Sequence, residues 1–262
     1  MNDIKKAIAV AYLARGSDIN WLSSFEQFLN SYERHQAGCK HSLYVIYKGF
    51  KNSDDLEKAA SLFTRIPHEP VYLGDDKFDL GAYIEWANMI EEDLICVLNT
   101  SSEILGPDWL YKLAVNLLLP NVGLVGATAS YESLKELNRK FPGFPNIHIR
   151  TNAFMIDRVL FCNLTEGVRI GDKEDAWLLE SGPRSLTRQV LEKGQEVLLV
   201  GNNGRAYSPK FWATSHIFRQ GKQENLLVSD NQTKYFLSLP WSGKMILISS
   251  AWGNCINKVA PI

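Results

Sequence analysis

The strongest constraint on the fold of this chain is an alternation. Short apolar runs of strand length recur through the first half, and the segments between them carry apolar residues at helical spacing. The strands expected are 7–13, 42–47 (SLYVIY), 71–73, 94–98 and 122–125. Between them, 19–35 places Trp21, Leu22, Phe25, Phe28 and Leu29 on one helical face, and a second helix gathers Leu56, Ala59, Ala60 and Phe63. Further helices are expected over 80–91 and from Pro107, a first-turn proline, to Pro120. This is the pattern of βα units around a mainly parallel sheet, an α/β Rossmann-like architecture flanked by helices.

Beyond about residue 128 the alternation fades into turns, a polar helix expected near 131–140, and the FPGFPN stretch at 141–146. A last α/β unit is expected from a helix over 185–193, stopped by Gly194, and a strand over 196–200; a polar, aromatic-rich tail follows. The chain reads as one domain over 1–262, with a first half to about 127 and a second half from about 128. No internal repeat stands out.

With 28 basic and 29 acidic residues the chain offers no field for a nucleic-acid backbone, and a nucleic-acid partner is not expected. Cysteines 39, 96, 162 and 255 are too scattered for a CxxC metal site or redox pair, which fits a reducing, cytoplasmic setting. Lys5-Lys6 followed by AIAVAYLA imitates a short signal peptide, but Arg15-Gly16-Ser17-Asp18 continues it as a turn, favouring a first strand. No apolar stretch reaches the roughly 20 residues of a membrane span. Peripheral contact at the inner face of a membrane is left open, as is the oligomeric state.

Several constellations could carry chemistry. The run 93–105, DLICVLNTSSEIL, passes abruptly from apolar to polar at Asn99-Thr100-Ser101-Ser102, and ligands of parallel sheets bind beyond such carboxyl ends; a plain polar cap is the alternative. Asp75 to Tyr83 is an acidic cluster entering a helix, in which Asp79 is either an N-cap or a ligand group and Gly81 permits close approach. Gly171-Asp172-Lys173-Glu174-Asp175 sets three carboxylates before Trp177 and Leu178, suited to a general base or to a solvated helix start.

Arg184 and Arg188, and separately His216, Arg219, Lys222 and Gln223, form basic groups suited to diphosphate oxygens or to surface solvation. Residues 146–154 alternate as a strand would, presenting His148, Arg150 and Asn152 on one face. The tract 229–233 is turn-like.

Taken in order, these pieces resemble the GT-A glycosyltransferases, in particular family 2-like and rhamnan-synthesis-type bacterial enzymes of polysaccharide assembly. AIAVAYLARG is similar to the family's base-binding strand, FDLGAYIEWAN to the helix before its acidic motif, and VLNTSSEILGPDWL to the motif strand and following helix. VGLVGATASYES is similar to the next strand and loop, HIRTNAFMIDRVLF to the acceptor-side segment, and KEDAWLLESG to the Glu-Asp motif.

The resemblance implies a nucleotide-diphosphate sugar donor and a glycan acceptor. It implies donor contacts at Ala11, Tyr12, Arg15, Asp79, Gly81, Asn99, Ser101, His216, Arg219 and Lys222, and acceptor contacts at His148, Arg150 and Asn152. Asp175 would be the general base of an inverting reaction, assisted by Glu174. The departure is that Asn99-Thr100-Ser101 stands where the family has Asp-x-Asp. Both carboxylates that would hold Mn²⁺ or Mg²⁺ are gone, so no metal ligand is assigned. Two other readings fit less of this pattern: a catalytically silent nucleotide-sugar-binding partner, and a nucleotidyltransferase, against which stands the lack of a Gly-rich, Lys-containing phosphate loop.

Overall fold

In the computed structural model, described over residues 4–75 and 78–258, the chain builds one eight-stranded sheet with helices on both faces. Strand β1 (Ile8–Arg15) is followed by α1 (Trp21–Arg34), β2 (Ser42–Lys48), α2 (Ser53–Phe63), β3 (Glu69–Tyr72), α3 (Phe78–Ala87) and β4 (Leu94–Leu98). Then come the short β5 (Glu103–Ile104), α4 (Trp109–Leu117), β6 (Val122–Gly126), the short β7 (Ala129–Ser130) and β8 (His148–Ile149), and β9 (Ala153–Asp157). The chain continues through α5 (Arg158–Leu164), α6 (Lys173–Ser181), α7 (Leu186–Glu192), β10 (Glu196–Val200), β11 (Ala206–Tyr207), β12 (Val228–Ser229), α8 (Asn231–Ser238) and α9 (Trp241–Trp252).

The strand order is β11-β10-β6-β9-β4-β1-β2-β3. Strands β1, β2, β3 and β4 are parallel, as are β6 and β10, while β9 runs antiparallel between β4 and β6. The sheet therefore draws strands from both sides of residue 127. Two-stranded ribbons join β5 to β12 and β7 to β8.

The period of two along β1 explains its central place. Ala9, Ala11 and Leu13 enter the core beneath α3, α5, α6 and α7, while Ile8, Val10, Tyr12 and Ala14 enter the core beneath α1, α2 and α4. Both faces must be covered, and no polar side chain interrupts the strand before Arg15 at its carboxyl end. The helices start where short polar side chains meet orphan amides: Asn52, Asp157, Asp172, Ser185 and Asp230 each accept from a backbone N–H in the first turn.

Three expectations change. Residues 131–140 form no helix; Ser130 and Ser133 instead accept from the amides of Glu132 and Lys135 in turns. The helix expected over 80–91 starts at Phe78 and stops at Ala87. The strand expected over 146–154 breaks into β8 and β9 at a turn over 150–152. The polar, aromatic-rich tail beyond 200, to which no element is assigned from the sequence, contains α8 and α9. Among the described residues no helix is long and apolar enough to cross a membrane.

Tyr12 ties β1 to the end of β4. Its ring stacks on Phe28 with centroids 3.7 Å apart, and its hydroxyl donates to the Thr100 carbonyl at 2.7 Å. Tyr12→Phe should cost about 1–2 kcal/mol by leaving that buried carbonyl unpaired, and Tyr12→Ala about 3–5 kcal/mol by adding a cavity. Urea denaturation of both variants separates the hydroxyl from the ring; a Phe variant as stable as the parent would remove the hydrogen bond from the account.

Candidate functional site

The site is assembled from strand ends. Parallel pairing sets Arg15 of β1 beside Lys48 of β2, so two cations end neighbouring strands on the same edge. Arg15 reaches Asp18 (3.3 Å) and Asp75 (3.4 Å). Lys48, whose side chain is 0% exposed, donates to the Phe78 carbonyl at 2.8 Å and lies 3.5 Å from Asp75. Asp79 follows in the first turn of α3. Asp76 and Lys77 of this acidic cluster lie outside the described residues.

Burial governs the electrostatics here. It pushes the Asp79 carboxyl above the ordinary range, and the repulsion of Asp18 and Asp75 adds to that against the opposing pull of Arg15 and Lys48. It also raises Asp18, which Arg15 and the nearby Thr100 hydroxyl partly offset, and lowers Lys48 against the attraction of Asp75 and Asp79. Three carboxylates and two cations thus share one partly desolvated patch.

The turn after β4 is held from within. Tyr83 donates to the Leu98 carbonyl at 3.1 Å, the Ser102 amide to the Asn99 carbonyl at 3.0 Å, and the Ser102 hydroxyl to Asn99 Oδ1 at 3.0 Å. The Asn99 amide donates to the Asn152 carbonyl at 3.0 Å, which ties the edge of β4 to the amino end of the antiparallel β9. Asn152 Oδ1 accepts from the Thr128 hydroxyl at 2.5 Å, yet its Nδ2 is buried without a partner; the Thr100 hydroxyl is buried too, with the Asp18 carboxylate as its neighbour.

Beyond Asn152 lies an ionic chain. Arg150 pairs with the buried Asp230 at 3.0 Å and covers the Phe218 ring at 4.6 Å; Arg219 covers that ring at 4.9 Å and pairs with Glu132 at 3.1 Å. Asp230 and Glu180 outweigh burial and hold the Arg150 guanidinium in its charged form. Burial lowers Arg219, and Glu132 partly restores it. Its Nε and the Ser229 hydroxyl are further buried groups without partners. Glu180 accepts from the Thr151 amide at 2.8 Å and from the Thr151 hydroxyl, which places a carboxylate on the turn that carries Arg150 and Asn152. Burial lowers His148, whose Nδ1 contacts the Asn146 carbonyl.

The sequence-derived residues divide accordingly. Arg15 and Asp79 share one patch, Asn99 is bonded to Asn152, and Ser101 lies in the same turn. His148, Arg150 and Asn152 stay close although the strand expected to present them is broken. The side chains of Ala11 and Tyr12 are in the two cores, and Gly81 is buried in α3, so none of the three offers a side chain to solvent.

His216, Arg219 and Gln223 all adopt positive φ, an uncommon backbone for such residues, fixed by bonds from the His216 and Arg219 amides to Gln220 and Gln223 side chains. Only Arg219 of the basic trio points inward. His216 faces Glu224 at 3.7 Å, and Lys222 is exposed and among the charges that favour ionised Glu224. Asp175 closes the capping box of α6, accepting from the amides of Gly171 (2.9 Å) and Asp172 (3.3 Å), and Glu174 pairs with Lys140. Arg184 is exposed, and Arg188 donates to Asn146.

Lys48, Asp18, Glu180, Asp230, Glu132 and Phe218 were not assigned from the sequence. A lysine closing the apolar run SLYVIYK was a usable signal for Lys48, and the Asp-x-x-Thr spacing of a capping box was one for Asp230. Glu180 carried none, because its partner Thr151 is 29 residues away.

The donor set at Asn99-Thr100-Ser101 does not fit a divalent cation, since amide and hydroxyl oxygens alone hold Mg²⁺ or Mn²⁺ weakly. Glu103, the nearest acid in sequence, lies on β5 with its carboxylate 2.9 Å from Lys234 Nζ. Among the described residues no group of three or more His, Cys, Asp or Glu is arranged to hold a metal ion.

No protein-family model matches the chain, and no curated protein matches it in sequence. Among solved structures it is similar to the mannosyltransferase PcManGT from Pyrobaculum calidifontis in complex with GDP-Man and Mn²⁺, with a TM-score of 0.51 and 11% identity over 96% of this chain and 70% of that one. It is also similar to mouse xyloside xylosyltransferase 1 in its apo form, at TM-score 0.46 and 11% identity over 74% of this chain and 85% of that one. For glucosyl-3-phosphoglycerate synthase from Mycobacterium tuberculosis in complex with Mn²⁺, UDP and phosphoglyceric acid, the values are 0.41 and 12%, over 60% of this chain and 57% of that one. The likeness is one of fold: a mainly parallel sheet flanked by helices, in the GT-A Rossmann-like arrangement.

Proposed function

We propose that this protein is a glycosyltransferase that moves a sugar from a nucleotide-diphosphate donor to a saccharide or related acceptor, with inversion. The observation that carries the reading is the meeting, at the carboxyl edge of a GT-A sheet, of a cation pair on β1 and β2 with the buried, unpartnered amide of Asn152 and the buried Thr100 hydroxyl beside Asp18. A buried donor left without a partner costs about 1–3 kcal/mol. A sugar diphosphate supplies many hydroxyl and phosphate oxygens.

In this reading Arg15, helped by Lys48, faces the diphosphate, Asp79 accepts from a ribose hydroxyl, and Asn99 and Ser101 meet the sugar end of the donor. Ala11 and Tyr12 contribute backbone and support, and Gly81 contributes close packing of α3. Arg219 stabilises the departing nucleotide from the other side, with His216 and Lys222 outside it. His148, Arg150 and Asn152 frame the acceptor.

A carboxylate takes the proton of the acceptor hydroxyl. The acceptor oxygen bonds to the anomeric carbon as the bond to the diphosphate breaks, and the nucleoside diphosphate leaves with the electron pair. Glu180 suits the base role through its place on the 150–152 turn; like Asp175, the sequence-derived base at the start of α6, it has one oxygen engaged and one left over. No step depends on a metal ion. The missing carboxylates also fit a silent nucleotide-sugar-binding partner, which the following measurements separate from an enzyme.

Thermal shift with UDP-, GDP-, dTDP- and CMP-sugars should show stabilisation by one base class that survives EDTA and is lost in Arg15→Ala. Silence across the panel overturns the reading, and a shift that needs Mn²⁺ overturns its metal-free form. With the donor so identified, Glu180→Gln should lower turnover at least about a hundredfold, while Asp175→Asn costs about 1 kcal/mol of stability through the cap and little turnover. The reverse order would return the base role to Asp175, and donor binding with no turnover in the parent chain would identify the silent partner.

Asp79 provides a pH test. Its folded pKa is raised, so the folded state holds the proton more tightly than the unfolded chain, and stability falls as pH rises through the unfolded and then the folded value. Asp79→Asn cannot ionise and escapes that loss. Urea denaturation should find it more stable than the parent at pH 7, with the gap closing as the pH falls through the carboxylate range. A variant less stable than the parent at pH 7 contradicts the argument.

A further inference from the structure

Helix α9 is apolar around most of its circumference, yet its buried residues are at its carboxyl end. Ala251 and Trp252 are buried there, the Trp252 indole donates to the Phe218 carbonyl at 2.8 Å, and the Tyr131 amide donates to the Ala251 carbonyl at 3.0 Å. The Ser250 hydroxyl donates to Glu132 at 2.5 Å. The first two turns stand away from these anchors, with Trp241 71%, Met245 42% and Ile246 70% exposed. On the adjoining α8, Phe236 and Thr233 face inward while Tyr235 and Leu237 are half-exposed. At the far end of α9 the half-exposed Phe144 ring lies over Gly253. An apolar surface of this extent on two consecutive helices marks a contact site.

The charge of the segment selects the occupant. From Asn231 to Ile262 there are three lysines, at 234, 244 and 258, and no aspartate or glutamate, in a chain that otherwise balances 28 basic against 29 acidic residues. Lys234 is held by Glu103 and Gln27, whereas Lys244 sits on α9 itself, its ammonium 5.6 Å from the Phe236 ring. Glu132, behind the helix, is already paired with Arg219. Exposed tryptophan, tyrosine and long aliphatic side chains beside Lys244, on helices that carry no acid of their own, suit the headgroup boundary of an anionic bilayer, where an interfacial helix buries its apolar face and its cation meets lipid phosphates.

We infer that α8 and the amino-terminal half of α9 form a peripheral docking surface for an anionic lipid bilayer, with Trp241, Met245 and Ile246 entering the interface and Lys244 at the headgroups. The inference is independent of the transfer reaction and would stand if that reading failed.

Co-sedimentation of the full chain with phosphatidylglycerol-containing vesicles tests it against pure phosphatidylcholine vesicles. Binding should favour the anionic vesicles, weaken with salt, fall at least about tenfold in the Trp241→Ser/Ile246→Ser double variant, and fall on the order of tenfold in Lys244→Glu. Trp241 and Ile246 are exposed and Lys244 half-buried, so the double variant should keep the parent's thermal midpoint and Lys244→Glu should stay folded, which circular dichroism checks. Absence of binding, or binding that the double variant leaves unchanged, overturns the proposal. A concentration-dependent dimer in analytical ultracentrifugation, abolished by the double variant and without vesicle binding, assigns the surface to a second copy of the chain instead.

Discussion

The candidate site depends on one strand running against its neighbours. In an all-parallel sheet the segment before β9 would enter from the opposite edge. Because β9 is antiparallel between β4 and β6, its amino end arrives where β4 ends. The hydrogen bond from the Asn99 amide to the Asn152 carbonyl records that meeting. It brings the 150–152 turn, with Arg150 and Glu180 attached, to the carboxyl edge that already carries Arg15 and Lys48. Residues far apart in sequence, Asn99 and Asn152 among them, are neighbours for this reason.

That edge is electrostatically crowded in a particular way. Every buried cation on it has a carboxylate partner: Lys48 has Asp75, Arg150 has Asp230, and Arg219 has Glu132. A buried charge left alone would be costly, so these pairs are what allow cations to stand at the edge at all. The same pairing limits how much positive potential remains for a diphosphate. Arg15, shared between Asp18 and Asp75 at longer distances and with 26% of its side chain exposed, is the cation with the greatest freedom to turn toward an anion.

How far the sequence discloses this arrangement depends on the range of each interaction. The β1, β2 and β4 strands, the helices between them and the polar end at Asn99 follow from periodicity and from local apolar-to-polar switches, and the structure has them within a few residues of expectation. The missed features are non-local or compete with a local signal. Residues 131–140 have helix-forming composition, but Ser130 and Ser133 capture backbone amides in turns. Residues 146–154 alternate like one strand, yet the Thr151–Glu180 and Arg150–Asp230 bonds favour a turn there. Glu180 lies on the same helix as Glu174 and Asp175, near its carboxyl end, and nothing local in the sequence prefers it to Asp175.

The absence of carboxylates after β4 has a structural counterpart that bears on its meaning. An Asp-x-Asp turn carries concentrated negative charge that a cation must offset. Asn99-Thr100-Ser101-Ser102 is neutral, and the carbonyls of Leu98, Asn99 and Thr100 accept from Tyr83, the Ser102 amide and Tyr12. What stays unsatisfied is the amide of Asn152, with the Thr100 hydroxyl turned to Asp18; an amide N–H donates to oxygen rather than ligating a metal. In the proposed reaction these groups meet the ligand directly, and the neutralisation that a cation would supply is assigned to Arg15 and Arg219.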